Sequence, residues 1–182
     1  MAFLGISVPV EVADLLSQLE VPGNRESKAN FHITILNLGS GLEVEQLESA
    51  FSSGFTVCEK IQPFQVTVNT VSSFPAGEDG VPIIAPVDSP GLHKLRRLLK
   101  KEFDESGVEY SKKFPKFQPH VTLAYSDPET TMKDFSFVPI TWTISEIVLW
   151  GGDQGANRVV AKFPLSMLKS ALKVASRHLW KA

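Results

Sequence analysis

The chain has a single cysteine, Cys58. No disulfide can close within it, and no cysteine-rich zinc site can be assembled; a reducing compartment is compatible with that count. Long apolar runs are missing too. No stretch approaches the ~20 residues that a membrane-spanning helix needs. Met1 to Val10 is apolar, yet it lacks a basic leader, is short for a signal peptide and runs straight into Glu11 and Asp14. These absences predict a cytoplasmic protein without membrane contact (host cytoplasm, for a chain of phage or viral origin). Charge of one sign is also scarce. Lys and Arg number 18 against 20 Asp and Glu, a net charge of −2, whereas proteins that grip long nucleic acid through its backbone carry a strongly basic footprint. A nucleotide ligand is therefore expected to be small or held at one end, with no extended nucleic-acid binding. Low-complexity segments and linkers are absent, so residues 1–182 read as one domain with room for two lobes. At 43% hydrophobic residues there is material for a sizeable core. No coiled-coil repeat stands out, and a monomer is expected.

What is present is an alternation of strand and helix signals. Phe3 to Val8 reads as a buried strand, and Pro9 opens a helix with Val12, Leu15, Leu16 and Leu19 at helical spacing. A polar loop, Val21 to Asn30, leads to an apolar strand ending near Gly39. Leu42 to Phe51 predicts a helix whose stripe is Val44, Leu47 and Phe51. Pro63 to Val71 alternates as a strand. The order then repeats: a strand at Val81 to Val87, placed at a sheet edge because of its prolines; a helix started by Asp88-Ser89-Pro90 with Leu92, Leu95, Leu98, Leu99 and Phe103 inward; and a loop, Gly107 to Phe117. Trp142 to Trp150 and Arg158 to Phe163 predict a hairpin closed by a Gly-rich turn, and Leu165 to Trp180 a C-terminal helix.

The two apolar strands that follow the polar loops carry one short pattern twice. Phe31-His32-Ile33-Thr34-Ile35-Leu36 is the first copy and Pro119-His120-Val121-Thr122-Leu123-Ala124 the second. Residues i and i+2 of a strand share a face, so each copy presents an imidazole beside a hydroxyl. One such copy is unremarkable, since threonine is common in strands for its packing. Two copies, at corresponding points of two similar halves, in a chain with four histidines, point to a shared site. The preceding order of strand, helix and loop in each half suggests two lobes related by a pseudo-two-fold axis.

Two imidazoles and two hydroxyls around one cleft suit the cleavage of a phosphodiester. Histidine can give or take a proton near neutrality, and preorganised hydroxyls can hold an oxyanion. Other chemistries fit less well. Two imidazoles fall short of a usual zinc centre, and Asp153, a conceivable third ligand, sits in a turn without ligand spacing; neither metal nor cofactor is expected. No serine sits on a sharp elbow. The Gly151 to Gly155 run lacks the lysine and the strand-to-helix context of a P-loop. His93 and His178 read as helix-surface residues.

The segments FHITIL and PHVTLA resemble the signature of the 2H phosphoesterase superfamily, which includes RNA 2′,3′-cyclic phosphodiesterases often called 2′-5′ RNA ligases. Pro9 after the opening strand, Phe117-x-Pro119 ahead of His120, and the late strand Ser145 to Leu149 are similar to that layout; the C-terminal helix departs from its shortest members. The resemblance implies an α+β, bilobal, pseudo-two-fold fold, in which two antiparallel sheets line a central cleft with helices outside. It implies catalysis by His32 and His120, with phosphate held by Thr34 and Thr122. The usual assignment makes His120 the base and His32 the acid, a direction that the residues themselves leave open.

Around this centre, Arg25 and Lys28 before the first motif, and Lys112, Lys113 and Lys116 before the second, are candidates to meet substrate phosphates or to be solvated loop charges. Tyr125, Trp150 and Phe114 are candidate stacking platforms for a base, with core packing the simpler reading for Trp150. The expected ligand is a nucleotide, a cyclic oligonucleotide or an RNA terminus. The leading expectation is metal-independent hydrolysis of a cyclic or 2′-linked phosphodiester. One alternative is a phage- or viral-type hydrolase of cyclic oligonucleotide or 2′-5′ oligoadenylate immune signals; another, of a different class, is a non-catalytic nucleotide-binding module.

Overall fold

A computed structural model describes residues 1–40, 42–87, 89–113, 115–151 and 158–166. In chain order the elements are β1 (Ala2–Ser7), α1 (Val10–Ser17), β2 (Asn24–Arg25), a 3-10 turn (Lys28–Asn30), β3 (His32–Gly39), α2 (Val44–Cys58), β4 (Phe64–Ser73), β5 (Val81–Pro86), α3 (Pro90–Ser106), β6 (His120–Ser126), β7 (Phe135–Ile144), β8 (Glu146–Trp150) and β9 (Val159–Pro164). Local chemistry accounts for the helix ends. The Ser89 hydroxyl accepts from the Gly91 N–H at 3.2 Å, Pro90 supplies the first turn, and Gly107 ends α3 in the left-handed region at φ 71°. The Pro9 carbonyl accepts the Ala13 N–H at 2.8 Å and opens α1.

The strands run in the order β7-β4-β5-β6-β3-β1-β8-β9, with β2 on the free stretch of β6, and every pairing is antiparallel. This path divides into two four-stranded halves, β6-β5-β4-β7 and β3-β1-β8-β9. They meet through one residue pair, Ile33 with Val121. Hydrogen bonding thus joins the two expected sheets into one continuous sheet at its thinnest point.

The halves match in register. Ser7, Gly5 and Phe3 of β1 face His32, Thr34 and Asn37; Pro86, Ile84 and Pro82 of β5 face His120, Thr122 and Tyr125. Each motif strand has an extra residue at the same point, Ile35 in β3 and Leu123 in β6. The halves are not consecutive in the chain, however. After the first motif, β4 joins the second half, and after the second motif, β8 and β9 return to the first.

The apolar face of the sheet is closed by the helices. Ile33, Ile35, Val121 and Leu123 lie in one core with Leu92, Leu95, Leu99 and Phe103 of α3. At about 25 cal/mol per Å2 of apolar surface, burial of this kind is the main favourable term holding the fold. The opposite face of β3 and β6 is left to the polar motif residues.

Four expectations need correction. The strand at Val81 lies inside the sheet, not at its edge. Its β4 ladder uses only Ile83 and Ile84, between the prolines, and the Pro82 carbonyl accepts from the Phe74 N–H at 3.0 Å, so Pro82 costs at most the return bond at the end of the ladder. The inward face of α2 is Ala50, Ser53, Gly54, Val57 and Cys58, while Val44 and Phe51 are exposed. The Phe163 ring takes the space in which a Cβ on Gly54 would sit at 3.2 Å, so the small residues turn inward. Trp142 to Trp150 is two strands broken at Ser145, whose carbonyl accepts the Leu165 N–H at 2.7 Å as the chain crosses between halves. The strand Phe135–Ile144, absent from the sequence reading before Trp142, tolerates Pro139 because β7 is at the edge. The Gly-rich turn, the helix proposed to Trp180, Phe114, Asp153 and His178 lie outside the described residues, save for Gly151, Leu165 and Ser166. No described helix is long and apolar enough to cross a membrane.

Candidate active site

The seam between the halves sets the geometry. Counted outward from the Ile33–Val121 pair, His32 stands opposite Thr122 and Thr34 opposite His120. All four point away from the buried face, as the alternating burial of β3 and β6 requires. The histidines occupy one diagonal of this square and the threonines the other. Diagonal neighbours in a regular ladder are about 7–8 Å apart, with their Cβ atoms somewhat closer.

Both rings are fixed in the same way. His32 Nδ1 lies 2.7 Å from the Asn30 carbonyl, and His120 Nδ1 lies 2.7 Å from the Gln118 carbonyl. A carbonyl only accepts, so each Nδ1 carries the proton and each Nε2 is the exchangeable atom. The first of these supports is itself held, because the Glu26 carboxylate accepts from the Asn30 side-chain amide at 2.9 Å. The rings also have aromatic backing. His32 lies 4.8 Å from Phe3 and 5.7 Å from Trp150, which stack on each other at 4.9 Å. His120 meets Phe74 edge-on at 4.8 Å. Gly5 makes the first arrangement possible, since a Cβ there would lie 2.6 Å from the Ile33 carbonyl oxygen and 3.1 Å from the Trp150 ring.

Burial pushes the His120 pKa below its usual 6.5. The hydrogen bond to Gln118 opposes that shift, and charge on His32 adds to it.

The extra residue in each motif strand has a second consequence. It breaks the period of two, so that Tyr125 returns to the face of His120 and Thr122, and Asn37 to the face of His32 and Thr34. Burial raises the Tyr125 pKa, as do Asp79 and Glu26, against a hydrogen bond with Thr122. Asn37 was missed in the sequence, although a signal was there: an apolar doublet, Ile35-Leu36 or Leu123-Ala124, follows the threonine in both copies. The Asn37 carbonyl accepts the Ser111 N–H at 2.7 Å, tying the basic loop to the first motif strand.

The remaining candidates are distributed around this centre. Arg25 donates to the Leu19 carbonyl at 2.6 Å and Lys28 pairs with Asp14, so both cations are engaged with α1 and its end. Lys112, Lys113 and Lys116 are exposed on the loop before β6. Trp150 is buried behind His32, and His93 lies exposed on α3 against Phe117 at 5.2 Å. Cys58 is buried and its thiol is pushed up to about 12, which removes it as a nucleophile. Among the described residues no three His, Cys, Asp or Glu side chains gather around a point that could hold a metal ion.

A matched antiparallel sheet that offers one imidazole and one hydroxyl from each half defines the two-histidine phosphoesterase class. The family model of the 2′-5′ RNA ligase superfamily matches residues 24–156, and the chain belongs to that superfamily. Among solved structures, TT0787 of Thermus thermophilus is similar with a TM-score of 0.74 at 21% identity, over 90% of this chain and 97% of that one. E. coli LigT complexed with 3′-AMP has a TM-score of 0.64 at 18% identity, over 91% of this chain and 98% of LigT. A structure described as a phosphoesterase has a TM-score of 0.62 at 19% identity, with 91% and 94% covered. These likenesses establish the shared fold. No curated protein matches the chain.

Proposed function

We propose that the chain hydrolyses a cyclic or 2′-linked phosphodiester of a nucleotide, oligonucleotide or RNA end, with His120 as general base and His32 as general acid. The observation that carries this reading is the pair of Nδ1-anchored imidazoles on adjoining strands, an arrangement that leaves Nε2 of each ring for proton transfer. His120 Nε2 takes a proton from water, and the new P–O bond forms as the ester bond to the ribose oxygen breaks. His32, protonated at Nε2, gives its proton to that oxygen. The product is a phosphate monoester beside a free hydroxyl, and proton exchange with solvent resets both rings. Each proton transfer is worth ~10²–10⁴-fold. Thr34 and Thr122 donate to the non-bridging oxygens.

The lowered pKa of His120 supports its role as base, because the neutral ring then dominates at pH 7. Tyr125, Lys113 and Lys116 are proposed to contact the rest of the substrate, with Arg25 and Lys28 at the margin. That E. coli LigT has been crystallised with 3′-AMP, NADP+ and ATP supports a nucleotide ligand. Turnover measured on 2′,3′-cyclic nucleotides, 2′-5′ oligoadenylates and cyclic oligonucleotides, with and without EDTA, tests the reading. One of these is expected to be cleaved at a rate that EDTA does not alter. Binding of all three without any product would assign the chain to the non-catalytic class instead.

A further inference from the structure

The whole-chain charge hides a segregated face. Residues 93–116 carry eight Lys and Arg against four Asp and Glu, although the complete chain carries 18 against 20. On α3, His93, Arg97, Lys100 and Asp104 are spaced as one stripe beside the buried stripe of Leu92, Leu95, Leu99 and Phe103. A hollow of about 520 Å3 lies along it, lined by Arg96, Arg97, Lys100, Lys101 and Phe117 among others. The carboxylates in this hollow are already engaged: Asp104 accepts from Tyr110 at 2.9 Å, and Glu105 pairs with Lys101 at 3.7 Å. Arg97 and Lys100 make no ion pair with a described residue. From His93 to Asp104 the stripe runs for ~16 Å at 1.5 Å per residue, room for more than one phosphate.

The hollow lies against the motif strands from behind. Arg96 donates to the Ile35 carbonyl of β3 at 2.5 Å and lies over the Phe117 ring at 4.7 Å. Phe117 is three residues ahead of His120, at most about 11 Å of chain. The other end of β6 has the opposite sign. There Glu78, Asp79 and Asp127 surround a second hollow of about 360 Å3 beside Tyr125. α3 packs on the apolar face of the sheet, so a polyanion held between the histidines would meet this charge by turning past Phe117, away from the acidic Tyr125 end.

We propose that this face of α3 holds the phosphate backbone of a single-stranded RNA whose reacting end lies between His32 and His120. The proposal rests on the phosphodiesterase reading for the identity of that end. It revises the charge expectation: binding reaches past the terminus, over a few phosphates on one side.

The test is equilibrium binding by fluorescence anisotropy, with single-stranded RNAs of 3 and 12 nucleotides bearing a 3′-phosphate. The 12-mer is expected to bind at least tenfold more tightly than the 3-mer. Its log K is expected to fall more steeply with log[salt], by about 0.7 per extra phosphate contacted. In an R97E/K100E variant the 12-mer advantage is expected to vanish, and in R97A/K100A to shrink, with unchanged circular dichroism in each. Equal affinity for both lengths, or an undiminished 12-mer advantage in both variants, would overturn the proposal. So would preference for polyglutamate of equal charge, which would assign the face to an acidic protein. Because binding is read without turnover, an active phosphodiesterase can fail this test, and a chain that cleaves nothing can pass it.

Discussion

The first half of the sheet supports its histidine on a stack of two rings, Phe3 and Trp150, admitted by Gly5. The second half sets Ile84 where the first has Gly5 and meets its histidine with one ring edge, Phe74. What is common to the halves is the imidazole, the hydroxyl, the Nδ1 anchor and the extra strand residue, the set that the proposed phosphate site draws on. What differs is the surroundings, which include Asn37 against Tyr125 and a basic rim against an acidic one. A symmetric centre can hold a tetrahedral group but cannot tell attack from departure. On the proposed reading, the asymmetric surroundings supply the direction.

The largest expected effect tests whether both halves act. His32→Ala and His120→Ala should each lower kcat by ~10²–10⁴-fold, as loss of a proton-transfer group does, with the fold retained by circular dichroism. Near-wild-type turnover in either would leave one half as scaffold and sink the paired mechanism. Next come the hydroxyls. Thr34→Val and Thr122→Val should each cost about 10²-fold in kcat, in the range seen for a lost oxyanion donor. Equal losses would mean that the phosphate sits on the two-fold axis. A larger loss at Thr122 would reflect its added bond with Tyr125.

A structural prediction separates the halves by packing. Gly5→Ala forces a Cβ to within 2.6 Å of a backbone oxygen that cannot swing away. It should destabilise by about 1–3 kcal/mol, the usual cost of overpacking, read as a lower denaturation midpoint. Ile84→Ala at the matching position should instead destabilise through a cavity, about 2–5 kcal/mol if the site cannot collapse. If both variants leave the midpoint unchanged, the comparison of the two supports fails.

How much of this was legible in the sequence depends on the range of the interaction. The paired motif was readable because His, x and Thr need only a strand to share a face. Ser89-Pro90 and the leucine stripe of α3 were readable because capping and helical periodicity are local. The inward face of α2 was not, because its small residues make sense only once Phe163, far along the chain, lies against Gly54. The exchange of β4 and β8 between halves is a topological fact with no local signature. Asn37 was hidden for a third reason: an inserted residue resets the alternation, and counting by twos then points to the wrong face.

The smallest expected effect concerns pH, and its sign follows from burial. His120 must be neutral to accept a proton, and burial holds its pKa below 6.5, so the acid limb of kcat/KM should have its midpoint below pH 6.5. Between that folded value and 6.5 the native chain binds fewer protons at this site than the unfolded chain does. The stability contributed by the group is therefore in place above pH 6.5 and lost as pH falls through the folded value. Phe74 covers one edge of the ring at 4.8 Å. Phe74→Ala admits water, eases the desolvation of the imidazolium, and should move the acid limb upward, toward 6.5, by less than about one unit. The same change in the other half, Phe3→Ala, removes a ring from His32 and should leave the acid limb where it is, because that limb belongs to the base. A wild-type acid limb at or above pH 6.5, or one that follows Phe3 instead of Phe74, would exchange the roles of the two histidines.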